Sequence, residues 1–278
     1  MTRDFTARRR QKLIDHASYV STLQHYADEH PLYDEHLRSP EIHPGDHARF
    51  MQSRASDLWD SFQFKYTGGE DLDELACLLG EVVDAYDHYV NQNDRASDDD
   101  YHPPFMMAQY ADVYVNYLHL VCSAILLHRE DLLRRIFGWN TGTDFDGVDA
   151  VLEELFTFYF PERPASDEWF WDRPYRLLLA VLDAEDPDER PGLMKKYLKN
   201  WYSAFKGQAH FWGMHEEITP EFSPYVGYWA MCAAAFTYLY DIDDSSYRDE
   251  LVYPKDLVDY ARSKPRPDTA GARAQGAT

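Results

Sequence analysis

The sequence is poor in cysteine. Its 278 residues contain only Cys77, Cys122 and Cys232, which lie far apart and form no CxxC pair. A disulfide framework needs an even set of paired cysteines, and a zinc ribbon needs CxxC pairs. Neither is expected here, and this cysteine usage fits a protein of a reducing compartment.

Long hydrophobic runs are also missing. The two longest apolar stretches, residues 117–127 and 228–240, are shorter than the roughly 20 residues that a membrane-spanning helix needs. Residues 1–20 include several arginines but no apolar core of the kind found in a secretory signal. The sequence therefore predicts a soluble, cytoplasmic protein with no membrane partner.

Motifs that carry catalysis or bind cofactors are absent as well. No GxxxxGK[ST], GxGxxG, GxSxG or HExxH pattern occurs. His210 and His215, followed by Glu216, are the strongest candidates for metal ligands, but a turn or helix end explains this spacing better. We therefore predict a protein that is not an enzyme, with no catalytic residue, no metal and no cofactor. A metal-dependent enzyme using these three residues remains the alternative.

Positive charge is scarce. The chain has 27 Lys and Arg against 49 Asp and Glu, for a formal net charge of −22. Residues 1–12 carry +4 and residues 262–278 carry +3, which leaves −29 on residues 13–261. Because such a surface repels phosphate backbones and anionic lipids, direct binding to nucleic acid is not expected. A basic partner suits this charge.

What the sequence does have is helical periodicity. Its 45% hydrophobic and 15% aromatic content can fill a sizeable core, which argues against disorder. Apolar residues recur three and four apart, and no stretch shows the alternation of a β-strand. We predict an all-α protein, a multi-helix bundle of roughly ten helices, forming either a single compact unit or two packed helical subdomains. The predicted helices span about residues 4–30, 46–68, 71–89, 103–128, 129–137, 148–160, 175–182, 192–205 and 226–240, with a short one after Pro254.

The predicted domain boundary lies in a polar, acidic loop around Asp98. We assign residues 1–100 to an N-terminal helical domain and residues 101–263 to a C-terminal helical domain. Residues 264–278 have little apolar content and are expected to be disordered.

Buried positions are expected at His119, Cys122 and Cys232, which lie within apolar stretches. The aromatic run at residues 169–171 is flanked by prolines, and folding back onto the core is a better explanation for it than a binding platform.

Acidic residues concentrate in the predicted loops and allow two interpretations. One is a solvated surface, of the kind that a salt-rich habitat enriches in acidic residues; only 8 of the 27 basic residues are Lys, which fits this view. The other is that carboxylates take the place of nucleic-acid phosphates in a cationic cleft of a partner. A further acidic cluster occupies residues 183–189. The carboxylates chosen as candidate contacts are Asp98, Asp99, Asp100, Asp144, Asp146, Asp241, Asp243 and Asp244.

The C-terminal stretch 222–261 favours the second interpretation. Gly227-Tyr228-Trp229 opens an Ala-rich segment, the sequence Asp241 to Ser246 (DIDDSS) follows it, and Tyr253-Pro254-Lys255-Asp256-Leu257 comes next. These elements resemble the C-terminal signature of the PoNi-type immunity proteins, and residues 8–26 are similar, less specifically, to the family's N-terminal half. Met231-Cys232 departs from the pattern, because an aromatic residue and a Glu usually stand there.

The resemblance implies an all-α protein that binds and inactivates a DNase toxin delivered between bacteria by a contact-dependent, type VI-like secretion system. It implies a one-to-one complex in which the acidic candidates above contact the toxin's basic surface. The Ala-rich segment is expected to be a core helix, whereas DIDDSS is expected to be exposed. A generic acidic helical scaffold is the remaining alternative.

Overall fold

The computed structural model describes residues 2–38, 42–94 and 103–266 and is all-α, as predicted. Eleven α-helices and two short 3₁₀ turns lie within these ranges. The same ranges form no β-strand, and one isolated bridge joins the backbones of Asp149 and Glu168.

The chain divides into two compact units. Unit 1 comprises residues 1–104 and 213–227, and unit 2 comprises residues 105–212 and 228–278. The sequence-based division treated 101–263 as one continuous domain, whereas the structure assigns its segment 213–227 to unit 1. The boundary predicted at residue 100 lies outside the described residues.

Unit 1 is built mainly from four helices. Helices α3 (Pro44–Gly68) and α4 (Leu72–Asn93) follow one another closely in the chain and pack side by side as a helical hairpin. The Asp71 carboxylate caps α4 by accepting the backbone N–H groups of Asp73 and Glu74, the arrangement that favours Asp before a helix. The helices are α1 (Thr2–Arg8), α2 (His16–Leu37), α3 (Pro44–Gly68) and α4 (Leu72–Asn93).

The predicted first helix is wrong at residues 9–15, where the chain leaves α1 before α2 begins. The Arg10 guanidinium donates to the carbonyls of Tyr66 (2.7 Å) and Glu70 (3.0 Å) at the end of α3. Asp15 then caps α2 by accepting the Ser18 N–H at 2.9 Å. This interruption satisfies carbonyls that a helix end otherwise leaves unpaired.

Segment 213–227 joins unit 1 through side-chain hydrogen bonds. The Ser223 N–H donates to Thr22 Oγ1 at 2.8 Å, Thr67 Oγ1 donates to the Val226 carbonyl, and the Tyr225 hydroxyl donates to Gln11. Since these partners lie 159 to 214 residues apart in sequence, local periodicity could not have predicted the grouping.

Two buried helices, α5 (Ala111–Leu126) and α10 (Met231–Leu239), form the centre of unit 2. Every residue of α10 is buried, and α5 packs against it. The Ala-rich segment is therefore a core helix, as expected. The helices of this unit are α5 (Ala111–Leu126), α6 (Glu130–Gly138), α7 (Ala150–Thr157), α8 (Asp172–Leu182), α9 (Arg190–Ala204), α10 (Met231–Leu239) and α11 (Lys255–Ser263).

Two predicted helices begin too early in the sequence. Residues 103–110 are irregular, and the Met107 carbonyl accepts the Trp171 indole N–H at 2.8 Å instead of a helical partner. Residues 226–230 are irregular, because Gly227 has a φ of 124°, which a right-handed helix does not allow.

The α5–α10 contact includes the residues predicted to be buried. The Sγ atoms of Cys122 and Cys232 lie 3.6 Å apart as free thiols, and burial raises the pKa of Cys122 well above its usual value. Their role as buried packing residues is confirmed. His119 is 4% exposed, and its ring stacks on that of Trp201.

The aromatic run at 169–171 folds back as expected. The ring of Phe170 meets those of Tyr114 and Phe145 edge to face. The Phe170 N–H donates to the buried carboxylate of Asp149 at 3.0 Å. This contact fixes the start of α8.

The buried imidazole of His119 should make stability depend on pH. Burial lowers its pKa from 6.5 to about 3, against a hydrogen bond with the Trp229 backbone that favours the charged form. Because the unfolded chain binds a proton below its ordinary pKa and the folded chain does not, stability falls as pH drops from about 6.5 towards 3. Between pH 7 and pH 5 this residue should account for a loss of about 2 kcal/mol.

Urea denaturation of the intact protein and of His119→Leu at both pH values measures this contribution. The substitution should reduce the difference in unfolding free energy between the two pH values, whatever it does to stability at pH 7. An undiminished difference would contradict a neutral buried His119.

Candidate functional site

From Tyr228 onward, the three segments that carry the resemblance come together in unit 2. The Ala230 N–H, before α10, donates to the Val252 carbonyl at 2.8 Å. Thr237 of α10 and Tyr247, which follows DIDDSS, share a hydroxyl hydrogen bond of 2.8 Å. The Tyr247 ring meets the Tyr253 ring edge to face, with centroids 5.1 Å apart. Helix, loop and the Tyr253 motif thus form one connected network.

Asp244 lies at the centre of this network. The prediction that it is exposed, as part of DIDDSS, is wrong. It is 6% exposed, and its carboxylate accepts from Arg248 Nη1 (2.9 Å), Arg262 Nη1 (3.0 Å) and the Tyr253 hydroxyl (3.1 Å). Two guanidinium groups and a phenol compensate the loss of water around a buried charge. Asp244 therefore holds the loop in place and is not available to a partner.

Asp241 and Asp243, the neighbours of Asp244, point outward. The Asp241 side chain is 78% exposed and lies 3.5 Å from a guanidinium nitrogen of Arg266. Asp243 accepts the N–H and hydroxyl of Ser245, and these hydrogen bonds hold the pKa of Asp243 below its usual value. Asp243 is therefore ionised near neutral pH.

A second acidic loop lies beside this one. Residues 183–189, between α8 and α9, carry five exposed carboxylates. The Arg190 guanidinium lies 5.3 Å from the ring centroid of Tyr240, and Lys195 Nζ donates to the Ser246 carbonyl at 2.7 Å. These contacts bring the start of α9 against DIDDSS. We define the acidic surface as Asp183, Glu185, Asp186, Asp188, Glu189, Asp241 and Asp243.

The acidic surface concentrates negative charge with little internal compensation. Among the described residues, Asp241 is its one member with an ion pair to a basic side chain. Clustered carboxylates make the local electrostatic potential more negative. This potential attracts a cationic partner and strengthens the ion pairs that the partner forms with the surface. The sequence showed the cluster at 183–189, but its proximity to DIDDSS depends on the Arg190 and Lys195 contacts.

Asp144 and Asp146 are not part of the acidic surface. They lie in the turn that precedes α7. Asp144 is exposed, whereas Asp146 is half-buried and pairs with Arg163 at 2.8 Å. Arg163 also forms a two-pronged pair with the buried Glu153, and that hydrogen bonding raises the pKa of Arg163. Asp146 thus supports the fold locally, while Asp144 stays a candidate contact. Asp98, Asp99 and Asp100 lie outside the described residues.

The histidines considered as metal ligands fall in different units. His210 belongs to unit 2, where its backbone N–H donates to Asp112 at 2.9 Å. His215 and Glu216 lie in the 3₁₀ turn Met214–Glu217 of unit 1. In the ranges that the structure describes, no three His, Cys, Asp or Glu side chains are placed to share a metal ion. Over the same ranges, no helix combines the length and apolar content needed to cross a bilayer.

Removing the buried carboxylate should destabilise unit 2. Asp244→Ala leaves Arg248 and Arg262 without their shared anion and should cost about 2–3 kcal/mol. Asp243→Ala is the matched control, since it removes an exposed carboxylate one residue away and should cost at most about 0.5 kcal/mol. Chemical denaturation of both variants measures the difference, and equal losses would show that Asp244 has no special structural role.

Comparisons with known proteins bear on the whole chain and on this region. The crystal structure of protein PA2201 from Pseudomonas aeruginosa matches with a TM-score of 0.73, covering 92% of this chain and 91% of that chain at 22% identity. At this identity the match shows a shared fold. No curated protein matches.

The family model described as PoNe immunity proteins (PoNi), C-terminal, matches residues 147–257. This range includes α7 to α10, the acidic surface and the buried Asp244. Over residues 147–257 the chain is thus similar to the C-terminal domain of the PoNe immunity proteins, as its motifs predicted.

Proposed function

We propose that this protein is an immunity protein that binds and inhibits a PoNe-type DNase toxin in a one-to-one complex. The family match suggests immunity to a PoNe nuclease toxin. The observation that supports a binding site is the acidic surface, which lies entirely within residues 147–257. In this proposal the protein acts by occupying the toxin and carries out no chemistry.

Charge complementarity provides the mechanism. A DNase must offer basic residues to the phosphates of its substrate, and the carboxylates of the acidic surface offer the same charge to those residues. Such complementarity steers encounter and orients the partner. The acidic surface covers or approaches the DNA-binding surface of the toxin, so that DNA is excluded while the complex lasts.

A less polar centre is needed for the complex to last. Tyr240 lies between the two acidic loops, half-buried, with its ring against Arg190 and its hydroxyl donating to Glu154. Aromatic residues enclosed by a polar rim supply most of the binding energy in many interfaces. We propose that Tyr240 is the aromatic centre of the interface and that the surrounding carboxylates form its polar rim.

Tight binding follows from the biological task. A producing cell and its siblings survive a toxin delivered through a type VI-like system only if almost no toxin stays free in the cytoplasm. This requires a nanomolar or lower dissociation constant, on the order of −12 kcal/mol or stronger.

The test of the function uses the nuclease toxin whose gene we expect to lie beside the gene for this protein. Co-expression should restore growth of cells that make the toxin, the two proteins should co-purify in equal amounts, and a molar excess of this protein should stop DNA cleavage in vitro. Uninhibited cleavage in the presence of excess protein would rule the proposal out and favour a scaffold with incidental acidity.

The role of the acidic surface is tested by isosteric neutralisation. The triple variant Glu185→Gln, Asp188→Asn and Asp241→Asn removes three charges, and Asn tolerates the positive φ of 53° at position 241. Association with the toxin should slow by about tenfold at low salt, because steering is lost. Rapid-mixing kinetics at several salt concentrations measure the rate.

The matched control neutralises three exposed carboxylates elsewhere in unit 2, namely Glu162→Gln, Asp167→Asn and Glu168→Gln. Both triple variants change the net charge by the same amount. Because the carboxylates of the control lie outside the acidic surface, it should associate with the toxin nearly as fast as the unaltered protein does. For the unaltered protein, the rate should fall steeply as the screening length shortens towards ~8 Å. Equal slowing of both triple variants would mean that overall charge alone matters.

A further inference from the structure

A basic groove lies between α8 and α9 in this acidic protein. It has a volume of about 740 Å³ and is open to solvent. Arg173 and Arg176 line it from α8, and Lys196 lines it from α9. Asp172 is the one carboxylate of its lining, so three cations face a single anion there.

Two of the three cations have no ion-pair partner among the described residues. Arg176 pairs with Asp172 at 2.6 Å along α8. Arg173 and Lys196 are exposed, and within the part of the chain described here neither makes an ion pair. In a chain with 49 acidic residues, two unpaired cations facing one groove create a local positive potential, which attracts a negatively charged ligand.

The groove also offers hydrogen-bond acceptors in a row. Lys196, Asn200 and Ser203 lie four and three residues apart, on one face of α9. The Asn200 amide donates to the Lys196 carbonyl at 2.9 Å, and the Ser203 hydroxyl donates to the Asn200 carbonyl at 3.1 Å. The Asn200 side-chain oxygen and the lone pairs of Ser203 Oγ are therefore left to accept hydrogen bonds.

This combination of cations and acceptors discriminates between anions. A fully ionised phosphate group offers only acceptors, so it would pair with the cations and the second N–H of Asn200 but would supply no donor to the Asn200 side-chain oxygen or to Ser203 Oγ. An acidic peptide offers carboxylates for the cations and backbone N–H groups for the acceptors. The spacing of these side chains also fits a peptide. Over the seven residue steps from Lys196 to Ser203, α9 rises about 10 Å, which is the length of roughly three residues of an extended peptide.

We propose that the α8–α9 groove binds an acidic peptide segment of the protein partner. The proposal rests on the proposed function, in that the partner is the toxin. The same partner then meets unit 2 twice: its basic surface meets the acidic surface, and an acidic segment enters the groove. Lys196 and Arg173 pair with the carboxylates, while Asn200 and Ser203 accept backbone N–H groups.

The experiment compares toxin binding by the double variant Arg173→Gln, Lys196→Gln with binding by the unaltered protein. Loss of two charge-assisted contacts should weaken affinity by about tenfold or more, mainly through faster dissociation. The control variant Lys199→Gln, Lys206→Gln removes two exposed lysines that do not line the groove, and its dissociation rate should be unchanged. Surface binding kinetics with full-length proteins measure both.

The outcomes separate this inference from the proposed function. If the unaltered protein does not bind the toxin, the proposed function fails. If it binds and the groove variant dissociates no faster than the control, the groove proposal alone fails. Titrating ¹⁵N-labelled protein with acetyl-hexaglutamate amide should shift backbone signals of residues 172–177 and 196–204, and the groove variant should abolish these shifts. Larger shifts from a single-stranded oligonucleotide or inorganic phosphate would overturn the choice of peptide.

Discussion

The buried carboxylate of Asp149 is the interaction on which unit 2 depends. It is fully buried, and it accepts the Tyr114 hydroxyl at 2.9 Å together with the backbone N–H groups of Val151, Leu152 and Phe170 at 3.0–3.1 Å. One side chain thereby connects α5, the first turn of α7 and the segment that leads into α8. Burial raises its pKa, and the four donors oppose that rise. Only a carboxylate can accept from so many donors at once, so the acid is required by the geometry.

Acidic residues thus have two separate roles in this chain. Asp149, Glu153 and Asp244 are buried and hold segments that are distant in sequence, each through donors that compensate for lost water. The carboxylates of the acidic surface make few internal contacts and face solvent. The placement of the second group depends on the first, because Asp244 fixes the loop from which Asp241 and Asp243 project.

Sequence patterns predicted the helices where burial follows a local period, and failed where distant partners interrupt it. The stripes of α3, α4 and α9 were found nearly to their ends, whereas the break at residues 9–15 depends on carbonyls of α3 more than 50 residues away. Prediction of the candidate site is limited in the same way by contacts between residues that are distant in sequence. Asp243 and Asp244 are indistinguishable in sequence, and the contacts of Asp244 with Arg248, Tyr253 and Arg262, which follow it in the chain, decide which of them is buried.

The two surfaces of opposite sign in unit 2 together explain how such a protein could be selective. Many nucleases are basic, so an acidic surface alone would attract partners with little discrimination. The α8–α9 groove adds a second requirement, since a partner that covers it without an acidic segment would leave Arg173 and Lys196 desolvated and unpaired, which is costly. Helix α9 connects the two surfaces: Arg190 at its start contacts Tyr240, next to the acidic surface, and Lys196, Asn200 and Ser203 line the groove. Because one helix of about 22 Å sets their spacing, a partner that binds as proposed would have to match both charges at a fixed separation.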